Sequence, residues 1–135
     1  MRPLSVLLVD DEAHVRNLVT VCLERASFRV LPVSSGEEAL QVDCAEFDLL
    51  VTDVQLGSGI NGVDLAERIT AEKPSIRVLV MSGFPESEGM AVAKGLPFLA
   101  KPFVPSRLVD RIKELLKVPV QSEKISTFRR MAGSN

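Results

Sequence analysis

The sequence has few of the residues that build cysteine or histidine sites. It contains two cysteines and one histidine in 135 residues. Cys22 and Cys44 lie far apart and form no CxxC motif, so the pattern supports neither a disulfide framework nor a thiolate metal site. We predict that both are structural thiols, because free cysteines are usually buried. His14 has no second histidine with which to share a metal ion, so we interpret it as a surface residue.

Signals for a membrane or for nucleic acid are also missing. No apolar run approaches the roughly 20 residues that cross a bilayer. The N-terminus MRPLSVLLVDDE turns acidic where a signal peptide would need a small-residue cleavage site. The formal net charge of −2 gives no basic footprint for nucleic acid or an anionic membrane. We therefore predict a cytoplasmic protein that binds neither directly.

The sequence does contain an alternation of two hydrophobic periodicities. Short apolar runs rich in branched residues predict five strands, at 4–9, 28–33, 47–52, 76–81 and 97–100. Runs that are apolar on both faces are typical of parallel strands that are covered on both sides. A hydrophobic content of 46% in one chain of this length predicts a single domain with its own core.

Segments with helical spacing separate the predicted strands. Apolar residues recur at helical intervals at Val15, Leu18, Val19, Cys22 and Leu23, at Val63, Leu65, Ala66 and Ile69, and at Leu108, Ile112, Leu115 and Leu116. Ser35 is the predicted N-cap of a helix within GEEALQV. A further helix is predicted within 85–95, where two glycines dilute the pattern. Strands that alternate with helices predict right-handed crossovers and a parallel sheet between two helix layers.

Four predicted strands end in residues that carry chemistry. The first strand ends at Asp10 and Asp11, the third at Asp53, the fourth at Ser82 and the fifth at Lys101. Ligands of parallel sheets bind beyond the carboxyl ends of the strands, so we expect these side chains at one rim. Crowded aspartates repel one another and favour a cation, and an oxygen-only ligand set favours Mg²⁺. A lysine and a hydroxyl can hold a phosphoryl group there, which makes Asp53 the candidate nucleophile.

Each of these residues has a plainer interpretation when it is taken alone. Asp10 or Asp11 could cap the first helix. Asp53 could be a turn residue before LGSGING, and Lys101 could be a solvated charge. Ser82 and the glycine after it could merely close a strand. Their occurrence at successive strand ends favours a shared site.

A family resemblance rests on these motifs together. Asp10–Asp11, the lone Asp53, Ser82–Gly83 and Lys101–Pro102 resemble the receiver domain of two-component response regulators, over roughly residues 4–118. The resemblance implies an α/β, flavodoxin-like sheet of five parallel strands in the order 2-1-3-4-5, with helices on both faces. It also implies that a sensor histidine kinase or phosphotransfer protein phosphorylates the chain, which then changes the face that binds a downstream protein target. A second copy of the chain, in a homodimer, is another partner considered.

The resemblance assigns roles to individual residues. Asp53 is expected to be the phosphoacceptor. The expected ligands of Mg²⁺ are Asp10, Asp11, Asp53 and the backbone carbonyl of Gln55. The protein is expected to catalyse only its own phosphorylation and dephosphorylation.

The remaining roles implied by the resemblance concern the switch. Ser82 and Lys101 are expected to contact the phosphoryl group, and Ser82 to move towards it on activation. Phe98 is expected to turn inward as the switch aromatic. The peptide bond between Lys101 and Pro102 is expected to be cis.

Domain limits and competing functions complete the predictions. Residues 1–118 are predicted to form the receiver domain, and 119–135 a C-terminal tail or linker with no output domain. A short amphipathic contact through Ile125, Phe128 and Met131 is the alternative for that tail.

A haloacid dehalogenase-type phosphohydrolase would need an aspartate where this chain has Gln55. The main alternative is a pseudo-receiver that binds partners without phosphorylation, although the intact acidic and basic residues speak against it.

Overall fold

The computed structural model describes residues 3–117, which form one parallel five-stranded sheet with helices between its strands. The strands are β1 (Ser5–Val9), β2 (Arg29–Val33), β3 (Leu49–Asp53), β4 (Arg77–Ser82) and β5 (Phe98–Ala100). They lie in the order β2-β1-β3-β4-β5, and all four neighbouring pairs are parallel. The predicted fold class and strand order are confirmed.

The described residues contain five α-helices, four of them between strands and the fifth after β5. They are α1 (Ala13–Arg25), α2 (Gly36–Ala39), α3 (Gly62–Glu72), α4 (Pro85–Ala93) and α5 (Pro105–Lys117). Asn61 caps α3, because its side-chain oxygen accepts the backbone N–H of Asp64 at 2.9 Å. The helix predicted within 85–95, α4, is present and begins at a proline, the residue that suits a first helical turn. None of the helices in residues 3–117 has the length and apolarity needed to cross a bilayer.

Two core layers lie on opposite faces of the sheet, because successive strand residues point to opposite sides. One layer joins strand residues such as Leu7, Leu50 and Val80 to Leu65 and Ile69 of α3. The other joins Leu8, Val51 and Met81 to Leu23 of α1 and Leu108 and Ile112 of α5. Burial on both faces holds β1, β3 and β4 rigidly, and so fixes the positions of the residues at their ends.

The second strand and the second helix differ from their predictions. Instead of being covered on both sides, β2 is largely exposed, with Leu31 39% exposed. It is an edge strand, the position in a sheet that accommodates the missing N–H of Pro32. Helix α2 is a single turn that stops before the end of GEEALQV. The chain then enters a 3₁₀ turn capped by Asp43, whose side chain accepts the N–H of Ala45 at 3.0 Å.

Both cysteines are free thiols, with Cys44 buried and Cys22 half-buried, and burial raises the pKa of each. The predicted boundary at 118 and the predicted tail 119–135, with Ile125, Phe128 and Met131, lie outside the described residues.

Candidate functional site

The chemistry-bearing residues meet at the carboxyl edge of the sheet. Asp53 is the last residue of β3 and Ser82 the last residue of β4, while Asp10 follows β1 and Lys101 follows β5. Because these four strands are parallel neighbours, their carboxyl ends share one rim. The structure thus brings together residues that are up to 91 positions apart in the sequence.

Three carboxylates form an acidic cluster at this rim. Asp10, Asp11 and Asp53 each offer one oxygen atom, and these oxygens all lie within 4.8 Å of one another. Asp10 and Asp53 are buried, whereas Asp11 is exposed. An oxygen-only set that reaches from the interior to the solvent fits Mg²⁺, which takes one or two carboxylates and keeps several waters. The donor chemistry of the cluster therefore fits the predicted ion.

Lys101 supplies a positive charge to the same cluster. Its Nζ lies 3.3 Å from Asp10 Oδ2 and 3.4 Å from Asp53 Oδ2, and its side chain is 21% exposed. The interpretation of Lys101 as a merely solvated charge therefore does not hold. Its backbone N–H donates to the carbonyl of Ser82 at 2.9 Å, which joins the ends of β4 and β5. The peptide bond between Lys101 and Pro102 is cis.

The acidic pair does not act as the cap of α1. The N-cap residue of that helix is Glu12, and no side chain makes a capping hydrogen bond there. Asp10 Oδ1 instead accepts the backbone N–H of Glu12 at 2.9 Å, and the Asp10 carbonyl accepts from Arg16 Nη1 at 2.7 Å. These bonds fix the orientation of Asp10 and leave its other carboxylate oxygen facing Lys101.

Asp53 has a strongly altered acidity. The pKa of its carboxyl group is raised from 3.8 to about 6, chiefly by burial. The charge of Lys101 acts to lower this pKa, and the negative charges of Asp10 and Asp11 act to raise it. The sequence predicted the repulsion between the aspartates, but burial is the larger cause. At neutral pH the group is mainly the carboxylate, which is the form required of a nucleophile.

The raised pKa predicts that the Asp53→Asn variant is more stable than the wild type at neutral pH without Mg²⁺. The Asp53 carboxyl group holds its proton more tightly in the folded protein than in the unfolded chain. The stability that this protonated group contributes is fully present below pH 3.8 and is lost as the pH rises through about 6. We expect the variant to gain roughly 1–2 kcal/mol at about pH 7.5, less than the full shift implies because solvent reaches the rim. Urea unfolding at a series of pH values measures the difference. If the free energies of unfolding of the wild type and the variant differ by the same amount at every pH from about 4 to 8, this account is contradicted.

The backbone of Asp53 is in tight contact with the start of α3. Its carbonyl oxygen accepts the Thr52 hydroxyl at 2.9 Å. The N–H of Gly62 donates to the carbonyl of Val54 at 2.9 Å, and a Cβ atom on Gly62 would overlap the Asp53 carbonyl oxygen. Sequence reasoning missed this role, because nothing in LGSGING indicates which glycine meets the strand. Only glycine at position 62 allows this approach.

Ser82 ends β4, and Phe98 begins the neighbouring strand β5. Ser82 is 1% exposed, accepts the N–H of Phe84 at 3.0 Å, and donates its hydroxyl hydrogen to Gln55 Oε1 at 2.9 Å. Phe98 is half-buried on β5 and packs against the core layer that contains α3. Gln55 Nε2 donates in turn to Ser87 Oγ at 3.0 Å. The hydrogen bonds of the Gln55 side chain to Ser82 and Ser87 were not predicted from the sequence.

Comparison with known proteins identifies the family. The sequence model of the response regulator receiver domain matches residues 6–113. The chain belongs to this family, as the resemblance of its motifs indicated. Receiver domains of response regulators act in phosphorylation-based signalling and generally bind Mg²⁺ at an acidic pocket, and this chain has an acidic cluster at its rim.

Individual relatives agree with this assignment. The chain is 30% identical over 116 residues to the transcriptional regulatory protein ResD of Bacillus subtilis, covering 84% of this chain and 48% of ResD. It is 30% identical over 118 residues to the response regulator receiver protein CpdR of Brucella abortus, covering 82% of this chain and 95% of CpdR. The crystal structure of a response regulator receiver protein from Sinorhizobium medicae superposes with a TM-score of 0.75 at 27% identity, covering 85% and 95% of the two chains.

The chain spans about half the length of ResD and of several other curated relatives, but almost all of CpdR. Several of the longer relatives are transcriptional regulatory proteins. The predicted lack of a direct nucleic-acid partner therefore finds no support among the relatives.

Proposed function

We propose that this protein is a phosphorylation-dependent signalling switch, and that Asp53 accepts a phosphoryl group from a sensor histidine kinase or a phosphotransfer protein. The placement of Asp53 carries the proposal. It ends a buried strand, lies 3.4 Å from the Lys101 ammonium group, and belongs to the cluster of three carboxylates. A rigid strand end holds the attacking oxygen in a fixed direction, which favours reaction with a bound donor.

Mg²⁺ fits the carboxylates of Asp10, Asp11 and Asp53 together with the backbone carbonyl of Gln55. When bound, it supplies positive charge that neutralises oxygens of the transferring phosphoryl group. The Asp53 carboxylate then attacks phosphorus without a base to remove a proton. The new O–P bond forms as the N–P bond of the phosphohistidine breaks, and the electron pair stays on the imidazole nitrogen, which takes up a proton from solvent. Lys101 leaves its two aspartate partners to bind a phosphoryl oxygen.

Phosphorylation changes the charge at the rim and repositions nearby side chains. Ser82 donates its hydroxyl to a phosphoryl oxygen, and Phe98 turns inward from its half-buried position on β5. The protein transfers the group only to itself and loses it by hydrolysis, so it is a switch and does not turn over an external substrate. The receiver domain is the switch, and a downstream protein binds its altered face.

The proposal is tested by phosphorylation with acetyl phosphate, a small donor that needs no kinase. We expect intact-mass spectrometry to show one phosphoryl adduct in the presence of Mg²⁺ and none when EDTA replaces the metal. Borohydride reduction of the acyl phosphate followed by peptide mapping is expected to locate the modification at Asp53. If neither acetyl phosphate nor a cognate kinase gives an adduct, the pseudo-receiver alternative replaces this function.

A further inference from the structure

The Gln55 side chain forms a hydrogen-bonded bridge between the end of β4 and the first turn of α4. Its Oε1 accepts from Ser82 Oγ at 2.9 Å, and its Nε2 donates to Ser87 Oγ at 3.0 Å. Both serines are buried, at 1% and 0% exposure, while Gln55 lies at the surface. We call this arrangement the Gln55 bridge.

The Ser82 hydroxyl donates its single hydrogen to Gln55. A serine hydroxyl has one hydrogen to donate and two lone pairs that accept. One lone pair accepts the N–H of Phe84 at 3.0 Å, and the hydrogen is donated to Gln55. Ser82 therefore cannot donate to a phosphoryl group on Asp53 until its bond to Gln55 breaks.

The other end of the bridge anchors a weakly attached helix. The buried residues of α4 are Ser87 and Ala91, whereas Met90 and Val92 are 42% and 67% exposed. A helix that buries so little apolar surface gains little stability from packing, so the partly buried hydrogen bond between Gln55 and Ser87 is a larger part of its attachment. When the Ser82 hydroxyl no longer donates to Gln55, one of the two hydrogen bonds that orient the Gln55 amide is lost. The remaining hydrogen bond to Ser87 is then weaker.

We propose that Gln55 is a positioning residue that holds Ser82 in its unphosphorylated orientation and connects its release to the first turn of α4 through Ser87. This inference rests on the proposed phosphorylation of Asp53 and adds the partner that Ser82 must give up. The hydrogen bonds of the bridge oppose activation, because they are present before the phosphoryl group binds and are lost afterwards.

Two variants test the bridge without altering the carboxylates or Lys101. Gln55→Ala removes both hydrogen bonds of the bridge and keeps the backbone carbonyl of residue 55. Ser87→Ala removes the hydrogen bond between Gln55 and α4. The probe is beryllofluoride with Mg²⁺, which adopts the tetrahedral shape of a phosphoryl group on a carboxylate. We expect each variant to bind beryllofluoride about three- to ten-fold more tightly than the wild type, the size expected from the loss of one hydrogen bond. We expect Ser87→Ala, which lies outside the proposed metal site, to bind Mg²⁺ alone with unchanged affinity.

The double variant and a control separate the bridge from a general loss of structure. Gln55→Ala with Ser87→Ala is expected to gain no more affinity than either single variant, because both remove the same interaction. Ser106→Ala, an exposed serine in the first turn of α5, is expected to bind as the wild type does. Amide hydrogen exchange in 85–93 is expected to rise when beryllofluoride binds the wild type, and to be raised already in Gln55→Ala.

The possible failures are distinguishable. Wild-type affinity for beryllofluoride in both single variants, or fully additive gains in the double variant, would overturn the bridge and leave the proposed function intact. If the wild type itself does not bind beryllofluoride with Mg²⁺, both the proposed function and the proposed role of the bridge are refuted. Because Gln55 lies at the surface, its variant gives a result even if Ser87→Ala does not fold.

Discussion

The Asp53→Asn variant is expected to acquire no phosphoryl adduct from acetyl phosphate under conditions in which the wild type is fully modified. Asparagine has nearly the same shape as aspartate, so β3 and the acidic rim keep their geometry. Its amide, however, has no anionic oxygen with which to attack phosphorus. Loss of the nucleophile removes the reaction itself, so the expected effect is complete. Intact-mass spectrometry at several times after addition of the donor measures it.

The matched control is Asp110→Asn, which makes the same chemical change at an exposed position on α5. This variant is expected to be phosphorylated at the wild-type rate, because Asp110 lies on a helix outside the acidic rim. An adduct of equal yield on Asp53→Asn would show that another residue accepts the group, and would refute the assignment of the phosphoacceptor. Circular dichroism of both variants establishes that each is folded.

Gly62→Ala is expected to lower the free energy of unfolding by about 2–3 kcal/mol, the upper part of the range for overpacked sites. The added Cβ atom would overlap the carbonyl oxygen of Asp53, and its next neighbours are the Asp53 carbonyl carbon and Thr52 Oγ1. Since β3 is paired on both sides, its backbone cannot withdraw without breaking sheet hydrogen bonds. The start of α3 must move instead. Equilibrium unfolding in urea without Mg²⁺ measures the loss.

Gly89→Ala provides a control of opposite sign. Gly89 lies in the interior of α4, and a Cβ atom there meets nothing within 4 Å. Alanine in a helix interior is better than glycine by about 0.5–1 kcal/mol, so this variant is expected to be more stable than the wild type. If Gly62→Ala is as stable as the wild type, the contact between Gly62 and β3 does not have the effect proposed for it.

The strand ends of this protein were predictable because their residues carry local signals. Apolar runs that stop at Asp10, Asp53 and Lys101 mark both the strands and the rim, and a parallel sheet has only one carboxyl edge. Chain-level periodicity therefore located the acidic cluster. It could not give the degree of burial of Asp53, which depends on how the surrounding elements pack and which contributes most to its raised pKa.

Features that depend on side-chain direction were not predictable. The Gln55 bridge joins residues 27 and 32 positions apart, and no periodicity reports which way an amide at a surface loop turns. The close approach of Gly62 to β3 is likewise a contact between backbones. The short α2 was missed because GEEALQV has good helical residues, whereas Asp43 starts a new turn immediately after it.

The pairing of Lys101 with Asp10, residues separated by 91 positions, has a consequence for the nascent chain. During synthesis Asp10 and Asp53 leave the ribosome well before Lys101, and contacts between such distant residues form late in folding because loop closure must precede them. Until β5 docks, the two aspartates lack the cation that holds them together. A partly synthesised chain that ends before β5 therefore carries the acidic residues without their lysine partner.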